Sequence, residues 1–382
     1  MSGSITRRNE NTWKITIELP RVIPGKRNRA FYTVHGTKKD AEKVKNEKLK
    51  ELSDGILLNN KQTFSSYLDL WLSTISYSKK ESTIDEYSHY INRHIKPYFK
   101  NTLLQDLRTE QIQTFYNFEL SHGRLDGKGG VSAKTLQNIH RIIHPVLEMA
   151  YNNDLIHRNV ANGVILPTPE KYKAEYLTKE QLRQILIASE NSDIYIPIAI
   201  GIFTGARNGE VLGLTWNNID FENQTLTIEK QLRYSHEKFK FETPKTKSSI
   251  RTISIPTILV EILKKYQKEQ LELQLKLGSA YGNSFNLICT TPLGEPIKTK
   301  NLSKKFNRFL KENQLPIIRF HDLRHSHASL LYSMKIQDKY ISQRLGHSSC
   351  STTKEIYTHL YKEDEMKIGN MIEDIFEKNK VI

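Results

Sequence analysis

The sequence predicts a multidomain α+β protein that is mainly α-helical and contains small β elements. Its 382 residues exceed what one ordinary hydrophobic core organises, so two or three domains are expected. Apolar residues recur at helical spacing through most of the chain, while the alternation typical of strands is confined to short runs. A polar stretch with two prolines, GVILPTPEKYKAEY at 163–176, predicts a linker between the second and third domains.

The charge balance indicates a polyanionic partner. The chain has 57 basic and 42 acidic residues, a net charge of +15, and nucleic acid is the commonest partner for such a protein. No run of 18 apolar residues is present, and the N-terminus lacks the apolar core of a secretory signal. Two cysteines are too few for a disulfide framework or a zinc knuckle. We therefore expect a protein of the bacterial cytoplasm, on the nucleoid DNA, with no membrane partner.

Residues 1–61 predict a small N-terminal domain made of a sheet and a helix. In TWKITIEL, apolar and polar residues alternate with the period of a half-buried strand, and AFYTVHG predicts a second strand. Thr37 and Asp40 predict the capping box of a helix over KKDAEKVKNEKLKEL. The domain has fourteen basic and seven acidic residues, so we expect it to contact DNA. The cations expected on its exposed turn are Arg21, Lys26, Arg27 and Arg29.

Residues 62–162 predict a purely helical domain. Its helical runs are TFSSYLDLWLSTI, STIDEYSHYINRHIKPYF (capped by Ser82 and Asp85), TEQIQTFYNFEL and SAKTLQNIHRIIHPVLEMAYNND.

The sequence of residues 177–382 predicts a mixed, mainly helical domain that begins with a capping box of Thr178 and Gln181. Three strand-like runs interrupt it: QTLTIEKQL, SSIRTISIP and FNLICTT. An apolar stripe at 368–376 is either core or an interface with a partner.

Four short stretches of the last domain hold residues suited to chemistry on phosphate. TGARNGEVLGLTW places Arg207 and Glu210 at i and i+3, where a carboxylate can lie beside a guanidinium. FHDLRHSHASLL gives His321 and Arg324 the same spacing. TPKTKSSIRTISIP holds Lys245 ahead of a strand, with Lys247 and Arg251 as alternatives for the same role. LGHSS holds His347, which precedes Tyr357 by ten residues.

These residue types together fit the cleavage of a phosphodiester by a tyrosine. Arginine presents a planar, permanently charged fork that matches two phosphate oxygens. A tyrosine phenol, with a reference pKa of about 10, becomes a nucleophile only beside a base or a cationic field. Histidine can accept its proton, and lysine can protonate a departing 5′ oxygen. Because a phosphotyrosine keeps the energy of the broken bond, rejoining requires no metal, ATP or other cofactor.

Each feature taken alone has a commoner structural explanation. An Arg-x-x-Glu pair usually lies on a solvated helix surface, and a His-x-x-Arg pair is usually structural. The histidines of HDLRHSHAS suggest zinc, but nearby cysteines and a His-Glu-x-x-His pattern are missing. The combination, in this order along the chain, is far more specific than any member.

The combination resembles the tyrosine recombinases, or phage integrase family, at all six positions. The resemblance implies that Tyr357 attacks the scissile phosphate, that Arg207 and Arg324 hold it, and that Lys245 protonates the leaving 5′ oxygen. It also implies that His321 assists proton transfer, that His347 hydrogen-bonds the phosphate, and that Glu210 orients Arg207. The domain layout is most similar to integrases of temperate phages and of conjugative or pathogenicity-island elements, which carry an N-terminal arm-binding domain.

The resemblance also implies a biological role and a set of partners. The chain would integrate and excise a mobile element or prophage through a 3′-phosphotyrosine intermediate. Residues 62–162 would be a SAM-like core-binding domain and residues 177–382 the catalytic domain. A homotetramer would assemble on two double-stranded core sites while residues 1–61 bind separate arm sites. Because bending short DNA costs about 1–6 kcal/mol, an accessory DNA-bending protein is expected, together with an excisionase. The 368–376 stripe would dock on a neighbouring protomer.

Three other functions fit part of the pattern. A DNA-binding regulator with this fold but no reaction would lack one of the six residues. A topoisomerase that forms a 3′-phosphotyrosine would relax supercoiled DNA of any sequence. A metal-dependent nuclease would lose its activity in EDTA.

Overall fold

The computed structural model describes residues 3–19, 28–53, 62–170, 176–243 and 249–346. The chain divides into two compact units, residues 1–171 and 172–382. Helices dominate both units and the sheets are small and antiparallel, so the predicted α+β class is confirmed. Among the helices described here, none has both the length and the apolar character that crossing a bilayer requires.

The first unit begins with a three-stranded antiparallel sheet in the order β1–β2–β3, covered on one face by a helix. These elements are β1 (Gly3–Asn9), β2 (Thr12–Leu19), β3 (Asn28–His35) and α1 (Lys38–Ser53). Ile15, Ile17 and Ala30 form its buried core. The predicted capping box is present, since the Thr37 N–H donates to Asp40 Oδ2 over 2.8 Å. The sequence did not predict β1, because GSITRRN has only one apolar side chain.

Helices build the rest of the first unit. They are α2 (Phe64–Ser76), α3 (Glu81–Tyr90), α4 (Lys96–Phe99), α5 (Thr109–His122) and α6 (Ala133–Asn152). The predicted helix over 82–99 forms with a π-helical turn at Ile91–Ile95 between α3 and α4. Pro97 has no N–H to donate to the carbonyl four residues earlier, which favours the wider turn. The predicted cap at Ser82 is wrong, because Lys80 takes the extended N-cap conformation and the helix begins at Glu81.

The second unit combines seven helices and five strands among its described residues. The helices are α7 (Lys179–Ser189), α8 (Tyr195–Thr204), α9 (Asn208–Leu212), α10 (Thr257–Leu277), α11 (Thr299–Glu312), α12 (Asp322–Ser333) and α13 (Asp338–Leu345). The strands are β4 (Ile219–Asp220), β5 (Thr225–Ile228), β6 (Gln231–Ser235), β7 (Lys238–Glu242) and β8 (Arg251–Ser254). One sheet has the order β4–β5–β8, and β6 with β7 forms a separate hairpin. The predicted Thr178–Gln181 capping box is present.

Two strand predictions need correction. The run QTLTIEKQL is two strands, β5 and β6, which belong to different sheets. FNLICTT, at 285–291, forms no regular strand and makes only isolated bridges. Its apolar residues Leu287, Ile288 and Cys289 are buried in the core, and the Gln270 side chain donates to the carbonyls of Leu287 and Ile288. Burial with side-chain hydrogen bonds therefore replaces the sheet that the apolar run suggested.

Helix α8 lies at the centre of the second unit and positions the candidate site. Its sequence YIPIAIGIFT is apolar on all sides, and eight of its ten residues are buried. Gly201 lets α12 approach closely, since an added Cβ would lie 3.2 Å from the Leu323 Cδ1 atom. The C-terminal end of α8 leads directly to Arg207, while the adjacent α12 carries Arg324.

Candidate active site

A tight turn after α8 places Arg207 at the beginning of α9. Gly205 ends α8 in the left-handed region with φ of 65°, and an added Cβ would lie 2.7 Å from Leu345 Cδ2. Only glycine meets both conditions without strain. Arg207 is the N-cap of α9, and its backbone N–H donates to Glu210 Oε2 over 2.9 Å. The predicted side-chain pair also forms, with Arg207 Nη1 2.7 Å from Glu210 Oε1.

Glu210 is almost fully buried and is shared by two arginines. Arg251 Nη2 donates to Glu210 Oε2 over 2.9 Å, opposite the contact with Arg207. Burial by itself raises the pKa of Glu210, but the hydrogen bond and charge of Arg251, followed by the charge of Arg207, outweigh burial and lower this pKa. The carboxylate is therefore ionised at neutral pH and compensates two guanidinium groups.

Arg324 lies on α12 with only 3% of its surface exposed. Its Nη1 donates to the Gly205 carbonyl over 3.0 Å, and its Nη2 donates to the Leu345 carbonyl over 2.6 Å. The Arg207 side chain, by contrast, is 35% exposed and can present N–H groups to a ligand from solvent. The two predicted arginines thus lie beside each other, with Arg207 partly at the surface and Arg324 buried.

Three successive carbonyls at the C-terminal end of α13 each accept a hydrogen bond from a different arginine. Arg251 Nε donates to Arg344 O over 2.7 Å, Arg324 Nη2 to Leu345 O, and Arg207 Nη2 to Gly346 O over 3.1 Å. The last carbonyls of a helix have no partner within the helix and carry partial negative charge. Cations from α9, β8 and α12 therefore converge on one short segment.

His321 lies at the N-cap of α12, in the field of both arginines. Desolvation first, then the charges of His325, Arg324 and Arg207, lower the pKa of His321 to about 4. The residue is exposed, so water offsets part of this shift, but its direction keeps the imidazole neutral near pH 7. A neutral ring can accept a proton or donate one hydrogen bond, as the predicted role requires.

His327, considered in the sequence only as a possible zinc ligand, forms a buried pair with Arg344. The Nδ1–H of His327 donates to the Ile202 carbonyl over 2.8 Å, so Nε2 accepts from Arg344 Nε over 3.1 Å. Arg344 also donates to the carbonyls of Ser254 and Phe203. These contacts fasten α13 to α8, α12 and β8. A histidine on a helix otherwise rich in polar residues gave no sequence signal for this arrangement.

Of the six residues predicted to be catalytic, the structure describes Arg207, His321 and Arg324 and brings them together. The other three, Lys245, His347 and Tyr357, lie outside the described residues, as do the apolar stripe at 368–376 and the cations Arg21, Lys26 and Arg27. Arg251, an alternative to Lys245 in the sequence, has a buried guanidinium engaged by Glu210 and two carbonyls. In the alternating pattern of its strand, Arg251 holds a position that faces the interior, and a charged residue at such a position indicates an internal ion pair.

The position predicted for Arg29 requires correction. Arg29 lies within β3 rather than on the preceding turn, because the strand already begins at Asn28. It pairs across the sheet with Glu18, with Nη2 3.1 Å from Oε1. Together they belong to the sheet face opposite α1, which is polar except for Phe31. That outer face consists of Ser4, Thr6, Lys14, Thr16, Glu18, Arg29, Phe31 and Thr33.

Family comparisons match most of the chain. The Phage integrase family matches residues 175–364, and the N-terminal SAM-like domain of phage integrases matches residues 63–120. A tyrosine recombinase XerC-like protein of Caldanaerobacter subterraneus subsp. tengcongensis is 30% identical over 390 residues, covering 95% of this chain and 96% of the relative. The ICEBs1 integrase of Bacillus subtilis is 27% identical over 316 residues, covering 82% of this chain and 83% of its own.

Solved structures share the fold at lower identity. The Tn1549 transposon integrase, in complex with transposon right end DNA, has a TM-score of 0.65 at 20% identity, covering 80% of this chain and 99% of its own. A lambda integrase tetramer bound to a Holliday junction has a TM-score of 0.58 at 21% identity, covering 90% of this chain and 95% of its own. With the family matches and the relative that is 30% identical over nearly the whole length, these findings lead to one conclusion. The chain belongs to the phage integrase family and is a tyrosine-type site-specific recombinase.

Proposed function

We propose that this chain integrates and excises a mobile DNA element by breaking and rejoining DNA at the cluster of Arg207, Arg324 and His321. One observation carries the proposal. Arg207 and Arg324 come from different elements but donate to the successive carbonyls of Gly346 and Leu345, so their guanidinium groups lie side by side. Two adjacent guanidinium groups offer the donors and charge that a phosphodiester needs while an attacking oxygen adds to phosphorus.

The reaction is a transesterification in which atoms and charges balance. The Tyr357 oxygen attacks phosphorus, the bond from phosphorus to the 5′ oxygen breaks, and a 3′-phosphotyrosine forms. His321, neutral at pH 7, assists removal of the phenolic proton, and Lys245 supplies a proton to the 5′ oxygen. His347 hydrogen-bonds a phosphate oxygen. In rejoining, a 5′-hydroxyl attacks the phosphotyrosine and Tyr357 leaves.

Glu210 keeps Arg207 in place for this reaction. Its carboxylate accepts from both the backbone N–H and the side chain of Arg207, so it restrains the residue at two points. A restrained guanidinium loses less conformational entropy when it binds phosphate than a free one does.

DNA contacts outside the cluster are assigned to the other regions. Residues 62–162 bind core-site DNA, and residues 1–61 bind arm-site DNA through the outer face of the β1–β3 sheet as well as its turn. Lys14 supports this extension of the binding surface, since its Nζ lies 4.2 Å from the centroid of the exposed Phe31 ring in the middle of that face. Four protomers act together on two core sites, with an accessory DNA-bending protein and an excisionase setting direction.

The test is covalent capture on a core-site duplex with a nick beside the cleavage position. The wild-type chain should form a protein–DNA adduct that survives a denaturing gel, and Tyr357→Phe should form none while binding the same DNA. Tyr361→Phe, in the same segment, is the matched control and should form the adduct normally. Normal adduct formation by Tyr357→Phe would falsify the assignment.

The same assay separates the rival functions. Relaxation of supercoiled plasmids that contain no core site would favour a topoisomerase. Loss of all strand cleavage in EDTA would favour a metal-dependent nuclease. Binding without any adduct, in the wild-type chain and on every core site tried, would favour a regulator.

A further inference from the structure

The Arg251 guanidinium occupies a position that the proposed reaction does not yet use. Its side chain is 6% exposed and each of its three nitrogens donates to a protein acceptor. Nη2 donates to Glu210 Oε2 over 2.9 Å, and Nε donates to the Arg344 carbonyl over 2.7 Å. Nη1 donates to the Ser249 carbonyl over 2.9 Å and to Glu210 Oε1 over 3.4 Å. These contacts make the Arg251 side chain a link between Glu210 and the end of α13, so we expect it to position Arg207 rather than to bind phosphate itself.

Arg251 is connected to both ends of the arginine cluster. At one end, Arg251 donates to the Glu210 carboxylate, which also accepts from the Arg207 side chain. Through Arg344 O it holds the first of the three carbonyls whose neighbours, Leu345 O and Gly346 O, accept from Arg324 and Arg207. The Arg251 side chain therefore contacts both groups that restrain Arg207, which are the Glu210 carboxylate and the C-terminal end of α13.

We propose that Arg251 is a positioning residue for strand cleavage, which sets the orientation of Arg207 by sharing the Glu210 carboxylate with it and by fixing the end of α13. This inference rests on the proposed function of the cluster. With Arg251 in place, Glu210 Oε2 accepts from Arg251 and from the Arg207 backbone, while Oε1 accepts from the Arg207 side chain over 2.7 Å and from Arg251 Nη1 over a longer 3.4 Å. Arg207 Nη2 is thereby left for acceptors outside the carboxylate.

Removing Arg251 changes the preferred geometry of the remaining pair. A buried carboxylate with a single guanidinium partner favours the bidentate arrangement, in which both oxygens accept from the same fork. Arg207 would then turn toward Glu210 and away from phosphate. The end of α13, which has lost the contact at Arg344 O, would no longer oppose that rotation.

The test compares Arg251→Lys with Arg308→Lys in the full-length chain. Arg308 lies on α11 with a side chain that is 79% exposed, so it controls for the chemistry of the substitution. Arg251→Lys keeps the charge beside Glu210 but cannot reach both Glu210 and Arg344 O. We expect single-turnover adduct formation on a nicked core site to fall about 10- to 100-fold, with core-site affinity unchanged within about threefold. Arg308→Lys should match wild type in both measurements.

A second substrate distinguishes positioning from a loss of structure. A methylphosphonate at the scissile position carries no charge for Arg207 to neutralise, so correct positioning of Arg207 matters less there. The defect of Arg251→Lys should shrink to less than about fivefold on this substrate. An equal defect on both substrates, or cleavage of the ordinary substrate at the rate of Arg308→Lys, overturns the inference.

A double variant covers the case in which Arg251→Lys does not fold. Glu210→Gln with Arg251→Met removes both buried charges together and so leaves neither unpaired. This variant should bind core-site DNA, cleave it slowly and regain rate on the methylphosphonate. Failure of the wild-type chain to form any Tyr357 adduct would instead refute the proposed function, and the two failures are therefore distinguishable.

Discussion

Arg251 and Arg324 in the second unit are nearly buried and donate to a carboxylate or to backbone carbonyls, whereas Lys14 and Arg29 in the first unit lie on one open face of a sheet. The buried cations are held at defined distances by groups from several elements. The sheet cations have a cation–π contact and a cross-strand ion pair, both at the surface. Surface pairs of this kind contribute little to stability.

This difference predicts how each region responds to substitution. A buried charge whose partner is removed remains desolvated and uncompensated, so single changes in the arginine cluster are costly and non-additive. An exposed cation that binds phosphate contributes mainly by its charge, so losses on the sheet should be small, additive and dependent on salt. Substitutions in the two regions therefore test the two halves of this contrast.

The largest effect should come from Glu210→Ala. This change leaves the buried Arg251 guanidinium without a carboxylate and removes two contacts to Arg207, so the free energy of unfolding should fall by about 3–5 kcal/mol. Urea denaturation followed by circular dichroism measures it. Glu312→Ala on α11, where the carboxylate is 67% exposed, is the control and should change stability by less than about 1 kcal/mol. Equal losses in the two variants would remove the contrast between buried and exposed charge.

The next effect is a pH dependence that arises from His327. Burial, followed by the charge of Arg344, lowers the pKa of His327 to about 4, while an unfolded histidine titrates near 6.5. Between these pH values the unfolded chain binds the extra proton, so the free energy of unfolding should decrease as the pH falls. Over this whole pH range, protonation of His327 should lower the free energy of unfolding by about 3 kcal/mol.

His327→Asn should remove that part of the pH dependence. Asparagine can still donate to the Ile202 carbonyl but does not titrate. His236→Asn is the matched control, since His236 is exposed in the turn between β6 and β7 and has a positive φ that asparagine tolerates. Urea unfolding between pH 4 and pH 7 checks both variants. If the free energy of unfolding changed with pH as steeply in His327→Asn as in the control, the buried imidazole would not be the source of the pH dependence.

Several parts of the fold and the site were predictable because their causes are local. The Arg207–Glu210 pair follows from spacing of i and i+3 at a helix start, and the Thr178–Gln181 box follows from capping chemistry. In each case the interacting groups lie within a few residues, so the sequence contains the whole interaction.

The remaining parts depend on partners that are distant in the chain. Arg251 finds Glu210 from 41 positions away and Arg344 from 93, and no periodicity encodes either distance. FNLICTT looked like a strand because an apolar run can satisfy its backbone through a sheet or through distant side chains such as Gln270. The carbonyls of α13 were foreseeable as acceptors, but the three arginines that bind them come from three other elements.

Arg324→Lys should reduce strand cleavage by about 100-fold, which corresponds to about 2.7 kcal/mol in transition-state stabilisation. Lysine keeps the charge but loses the planar fork that donates to the carbonyls of Gly205 and Leu345. Single-turnover adduct formation on a nicked core site measures the effect, and core-site affinity should stay within about threefold. Arg308→Lys serves again as the control. Cleavage within about threefold of this control would mean that charge alone suffices at Arg324, as it does on the sheet.

The smallest effect should come from Lys14→Ala on the outer face of the sheet. If Lys14 contacts one phosphate, its loss should reduce the slope of log affinity against log salt concentration by about 0.9 for arm-site DNA. Lys43→Ala on α1, which covers the opposite face, should leave the slope unchanged. Fluorescence anisotropy of the full-length chain on an arm-site duplex at several salt concentrations measures both. Because a phosphate contact carries no sequence information, Lys14→Ala should weaken binding equally on every duplex tested, and a loss confined to one sequence would instead identify Lys14 as a base-reading residue.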